Sequence, residues 1–146
     1  QGFRDSQLAM IGAHGGTGVV QYFLAVGDRV VQFSPANFAA RMGNTGGAVL
    51  AICASGKSDA QHGSEEALGL AAALLRAGVR CVIAPPWPMY VDVMDRWLPA
   101  FLQAVDEGAT MSAAVQRGRV AVAERFDHPL PKHQLHVYGD AAYRVR

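Results

Sequence analysis

Ala48-Val49-Leu50-Ala51-Ile52-Cys53 is a continuous apolar run that carries a thiol at its carboxyl end. Apolar residues in succession, without an alternating polar position, suit a strand buried on both faces. Leu8-Ala9-Met10-Ile11-Gly12-Ala13 upstream has the same character and leads into His14-Gly15-Gly16-Thr17-Gly18, which reads as a turn. Between the two runs, Tyr22–Val26 and Arg29–Phe33 flank Gly27-Asp28 as a hairpin. Ser34-Pro35 then opens a helix, with Ser as the cap and Pro at the first position, running to about Met42 and stopping at Gly43-Asn44.

Downstream of Cys53 a polar loop leads to Gly63. Ser64-Glu65-Glu66 opens a helix in which Ala67, Leu70, Ala71, Leu74 and Leu75 share one face. Gly78 ends it, and Cys81-Val82-Ile83-Ala84 is a third buried strand. Pro85-Pro86-Trp87-Pro88 then forbids regular structure. Two helical stretches, 90–105 and 111–126, are separated by Gly108; Pro99 is predicted to kink the first, and Trp97, Phe101 and Leu102 to pack in the core. Gln134 to Tyr138 reads as a last strand. Strands alternating with helices predict an α/β fold whose mostly parallel sheet, four parallel strands in this chain, is covered on both faces. Function in such sheets gathers at the carboxyl ends of the strands, where His14 and Cys53 both stand. Four strands make a thin sheet of this class, and the chain begins without Met. The expectation is therefore part of a longer protein, with one or two strands upstream of Gln1.

Composition narrows the function. The 146 residues are 51% hydrophobic and 17% charged, enough for a buried core in one domain. A formal net charge of +1 with scattered basic residues argues against a nucleic-acid footprint or a polybasic membrane anchor. No apolar run has the length of a membrane helix, and Gln1-Gly2-Phe3-Arg4-Asp5 does not resemble a secretory leader. Two cysteines make no disulfide framework, which favours a reducing, cytoplasmic setting.

Chemistry concentrates on His14 and Cys53. A thiolate nucleophile needs a neighbouring imidazole to lower its pKa and later to protonate the leaving amine. If the two strands are sheet neighbours, about 5 Å apart, both side chains enter one crevice. The backbone N–H groups of Gly15 and Cys53 are then the candidate oxyanion donors. The plainer reading is a buried structural cysteine with an unrelated histidine. A second chemistry is written over the same residues: Ala51-Ile52-Cys53-Ala54-Ser55-Gly56-Lys57-Ser58 fits a permissive phosphate-loop pattern, with Lys57 for phosphates and Ser58 for magnesium. Against it, Ala51 falls in the strand instead of the turn, Gly63 interrupts the helix that should follow, and no strand ends in the required Asp. His62, His128, His133 and His136 lack metal-ligand spacing and read as solvated side chains, so no metal or organic cofactor is expected. Trp87, beyond the third strand, is a candidate wall of a substrate cleft or plain packing. Asp59 is a candidate contact for a basic substrate side chain, set against a solvated turn residue.

Taken in order, these motifs resemble those of the caspase-like (clan CD) cysteine peptidases, and more specifically the catalytic half of the CHAT family, bacterial domains often fused to tetratricopeptide repeats. Ala13-His14-Gly15 resembles the family's histidine motif, and Val49-Leu50-Ala51-Ile52-Cys53-Ala54-Ser55-Gly56 its LSACxTG motif. Leu75-Arg76-Ala77-Gly78-Val79-Arg80 with Val82-Ile83 resembles AGARSVV, Trp87-Pro88 stands where the family has SLWPV, and Val137-Tyr138-Gly139-Asp140 closes the domain. The resemblance implies a caspase-like three-layer sandwich, of which 1–146 is the catalytic, carboxyl-terminal portion. It also implies a cysteine endopeptidase with Cys53 as nucleophile and His14 as acid/base. Its substrate would be a protein or peptide, and a regulatory domain or partner, such as tetratricopeptide repeats, would act on it. Ala51, Asp59 and Trp87 are the expected cleft residues. Ile52 departs from the usual small residue, and Met89-Tyr90-Val91 from the acidic residues that follow Trp-Pro, which puts inherited substrate preference in question. A catalytically silent caspase-like interaction module is the alternative outside enzymology.

Overall fold

The computed structural model describes residues 6–12, 14–17, 22–26, 28–52, 69–86 and 89–146. Strand β1 (Leu8–Gly12) pairs in parallel with β5 (Gly47–Ala51), and β5 in parallel with β6 (Cys81–Ala84). The sheet is completed by β7 (His136–Gly139) in the order β1-β5-β6-β7. Side chains of its inner strands alternate between two separate cores, as a sheet covered on both faces requires. Leu50 and Ile52 of the β5 run, with Val82 and Ala84 of β6, face one core together with α1 (Pro35–Met42) and α2 (Leu70–Arg76). Val49, Cys81 and Ile83 face the other, with α3 (Val91–Asp106) and α4 (Met111–Ala123). The molecule is a three-layer α/β/α sandwich.

The last strand departs from the expected parallel arrangement. β7 runs antiparallel to β6, with Ala84 opposite His136 and Cys81 opposite Gly139. The reason is the connection. Between β5 and β6, α2 is the one helix among the described residues; it returns the chain to the amino edge of the sheet, so the next strand is parallel. Between β6 and β7 come the two long helices α3 and α4 and the single turn α5 (Pro129–Lys132); α3 carries the chain back and α4 returns it, so β7 enters from the carboxyl edge.

The glycine-rich segment after β1 also departs from expectation. His14–Thr17 is not a turn but a strand, β2, paired antiparallel with β3 (Tyr22–Val26), which pairs in turn with β4 (Arg29–Phe33). Glycine weakens a strand, but backbone pairing with β3 supplies the ladder that side chains would otherwise favour. Elsewhere local signals hold. Ser34 caps α1 by accepting the Asn37 N–H at 3.2 Å, with Pro35 at the first helical position. Pro99 is accommodated inside α3, and it and Asp95, whose carbonyl loses its partner, lie on the exposed side, where water can serve. Gly108 ends α3 with φ of 77°, a conformation that L side chains rarely adopt. Of the three predicted core residues of this helix, Trp97 and Phe101 are buried and stacked with centroids 4.5 Å apart, whereas Leu102 faces outward.

At the amino edge of the sheet the carboxyl-terminal segment forms a clasp. The Tyr143 hydroxyl donates to the Gln7 carbonyl at 2.7 Å, and the Arg80 guanidinium lies 5.0 Å from the Tyr143 ring centroid. Arg80 also pairs with Asp140 at 2.6 Å, but both are exposed, so this pair contributes little. The ring fits because residue 46 is Gly: a Cβ there would lie 2.1 Å from the Tyr143 oxygen and 2.9 Å from the Gln7 carbonyl. Tyr143→Phe is expected to cost about 1 kcal/mol, the net worth of one such hydrogen bond. Gly46→Ala is expected to cost more, because the ring and a backbone carbonyl must both move. Thermal melts of the two variants check the ranking; equal midpoints would refute it.

Candidate active site

The carboxyl edge of the sheet is built by register. Gly12, the last residue of β1, lies opposite Ala51, the last of β5, and a Cβ on Gly12 would be 3.9 Å from that of Ala51. Val49 lies opposite Ile83, so the same register carried two residues on sets Ala51 level with Pro85. Three parallel segments therefore reach one rim side by side, roughly 5 Å apart. Ile52 is fully buried against α1 and α2, and Pro85 is buried as well.

His14 begins β2, opposite Ala25, at the point where the chain leaves the main sheet for the second one. Gly15 follows it in the same strand, opposite Leu24. Ala51 ends β5 and is half-buried. Cys53, Asp59 and Trp87 lie outside the described residues, as do Lys57, Ser58, His62 and the predicted helix start at Ser64. Ala51 bears on the phosphate-loop reading nonetheless. It is the last residue of a paired strand, followed by the fully buried Ile52, where that pattern needs the first residue of an open loop.

The other cysteine is chemically quiet. Cys81 is 1% exposed, and burial, with a smaller contribution from the Asp140 charge, pushes its thiol up to about 11. At neutral pH that leaves roughly one molecule in ten thousand as thiolate. The histidines near β7 are only partly as expected. His128 and His133 are exposed, but His136 is half-buried, its Nε2 2.8 Å from the His133 carbonyl, where it begins β7 opposite Ala84 of β6.

One residue at this edge escaped the sequence reading. Gln134, assigned there to the last strand, precedes it and is 1% exposed. Its Oε1 accepts the Tyr90 backbone N–H at 3.1 Å and fixes the start of α3. A lone Gln between His133 and Leu135 carries no pattern that would have revealed this.

The family model described as CHAT domain matches residues 6–139. That span contains the whole main sheet and the β2–β4 sheet and ends just before Asp140 and Tyr143 of the clasp. No curated protein matches the chain. Among the described residues, no helix is long and apolar enough to cross a membrane.

Proposed function

From the membership of this chain in the CHAT domain family, a caspase-like family, we propose that it is a cysteine endopeptidase acting through Cys53 and His14. One observation carries the proposal: Gly12 and Ala51 are register partners on adjacent parallel strands, and His14 and Cys53 each follow by two residues. The two strand ends that precede the pair therefore lie side by side on one rim. The β2–β4 sheet fixes the backbone at His14, while the buried Ile52 fixes the chain just before Cys53.

In this reading His14 takes the Cys53 proton, and the thiolate attacks the substrate carbonyl. Charge on the oxygen is met by the backbone N–H groups of Gly15 and Cys53. Collapse of the tetrahedral intermediate breaks the C–N bond as His14 protonates the leaving amine. Water, deprotonated by His14, then releases the acyl group and restores the thiol. Ala51, Asp59 and Trp87 contribute to the substrate cleft. The setting is cytoplasmic, and neighbouring domains or partners regulate the activity.

The test is labelling of the native protein with a peptidyl acyloxymethyl ketone, followed by mapping of the modified residue. Modification is expected at Cys53 and not at Cys81, and His14→Ala is expected to slow it strongly. Labelling confined to Cys81, or none in folded protein, would overturn the proposal.

A further inference from the structure

We infer that the amino edge of the sheet is a docking face for an acidic segment of a partner protein, a property independent of the peptidase reading. Its basic residues are scattered in sequence, and the fold gathers them. Arg41 stands in the last turn of α1, Arg76 ends α2 and Arg80 precedes β6, three places where the chain turns at this edge. Arg144 and Arg146 join them from the clasp. The Arg144 guanidinium donates to the Gly108 carbonyl beyond α3, and the Arg146 backbone N–H donates to the Gln7 side chain. All five arginines are exposed. Burial raises the Tyr143 phenol while the Arg80 and Arg146 charges both pull it down, so Arg146 as well as Arg80 lies near that ring.

Positive charge exceeds negative here. Arg80 is paired with Asp140, and the neighbouring Arg117 with Glu107, both pairs exposed. Among the described residues, Arg41, Arg76, Arg144 and Arg146 have no carboxylate partner, and Asp106 is the one further acid at this edge. Six arginines against three acids leave a surplus of three charges, whereas elsewhere among the described residues five basic side chains match five acidic ones. Helix dipoles do not account for the surplus. The C-termini of α1, α2 and α3 bring about −0.5 each and the N-terminus of α4 about +0.5, roughly one negative charge in all. About two positive charges remain, and like charges repel, so folding stability does not explain them.

The chemistry of the edge sets the partner. Every base on it is arginine, whose planar fork matches the two oxygens of a carboxylate or phosphate. A nucleic-acid backbone fits poorly. It brings one negative charge per roughly 1.7 Å, a continuous line that Asp106, Glu107 and Asp140 repel. Glu and Asp side chains on a peptide can be spaced to meet the arginines and miss those carboxylates. The edge lies at the opposite end of the strands from Gly12, Ala51 and Ala84, so a segment bound there leaves the carboxyl rim open.

The experiment is titration of the full natural chain with a fluorescent Glu-rich peptide and, in parallel, with single-stranded DNA and phosphatidylserine vesicles. The peptide is expected to bind, less tightly as salt rises, and Arg41→Gln/Arg76→Gln/Arg80→Gln to weaken it about tenfold. Arg29→Gln/Arg96→Gln/Arg125→Gln removes equal charge from exposed positions elsewhere and is expected to bind like the natural chain. If the first variant does not fold, Arg41→Gln/Arg76→Gln, outside the clasp, is expected to show about a threefold loss. Equal losses from the two charge sets, or no binding of the peptide, overturn the docking face. DNA or vesicles bound more tightly than the peptide, and released by the same amino-edge changes, overturn the acidic segment as its occupant.

Discussion

Cys53→Ala is expected to abolish peptide hydrolysis, and His14→Ala to lower kcat by at least about a thousandfold. Alanine at position 53 removes the only atom that forms the acyl bond in the proposed cycle. Alanine at position 14 leaves the thiol, but without its base and without an acid for the leaving amine. Because the two act as a unit, the double variant is expected to be little worse than Cys53→Ala alone. Lys57→Ala supplies the contrast. A phosphate-loop protein would lose nucleotide binding on that change, whereas a peptidase is expected to retain most of its turnover. Steady-state kinetics with a fluorogenic peptide, beside nucleotide titration of the same four proteins, separates the readings. Full turnover in Cys53→Ala would sink the dyad.

The fold was legible wherever the signal was local. β5 and β6 are continuous apolar runs, and the structure buries both faces of each, in the cores of α1–α2 and α3–α4. The Ser34-Pro35 start and the Gly108 stop depend on neighbouring backbone alone, and both stand as read. What failed needed partners distant in sequence. His14-Gly15-Gly16-Thr17 has the composition of a turn and becomes a strand only because β3 lies beside it. The direction of β7 depends on the out-and-back path of the long helices α3 and α4, and no residue of β7 encodes it. Leu102 shares a helix with Trp97 and Phe101 but lies about a hundred degrees round the axis from Phe101, which turns it outward.

The candidate site was legible to a different depth. Two apolar strands ending in His and Cys were visible as a pattern, and the register of Gly12 with Ala51 adds the adjacency that the pattern lacked. Gln134 was not legible, because a buried carboxamide that holds a distant backbone N–H leaves no periodicity in its own segment. Cys81 shows the converse. Its letter gives no sign of reactivity or inertness; burial at 1% exposure is what raises its thiol to about 11.

Gly118→Ala is expected to destabilise the protein by about 2 kcal/mol, against the usual benefit of alanine in a helix. Inside α4 the substitution should gain up to about 1 kcal/mol of helix propensity. However, its Cβ would lie 2.4 Å from both Cδ1 and Nε1 of Trp97 and 2.9 Å from Cε2. Those atoms belong to a rigid ring that is 1% exposed and stacked on Phe101, so it has little room to yield. Overpacking of this kind costs about 1–3 kcal/mol, and more where neither side can relax. The clash wins. The indole N–H is buried without an acceptor among the described residues, so packing holds Trp97, and displacing the ring loses those contacts. The midpoint of thermal unfolding is expected to fall by roughly 8 °C in a domain of this size. Trp97→Phe supplies the control, since the smaller ring frees space over residue 118 and removes the unsatisfied donor. Gly118→Ala added to Trp97→Phe is therefore expected to cost at least about 1 kcal/mol less than Gly118→Ala alone, a coupling that a double-mutant cycle measures directly. Strict additivity would mean that α3 and α4 adjust independently of the Gly118–Trp97 contact. An unchanged midpoint in Gly118→Ala would mean that the ring has somewhere else to go.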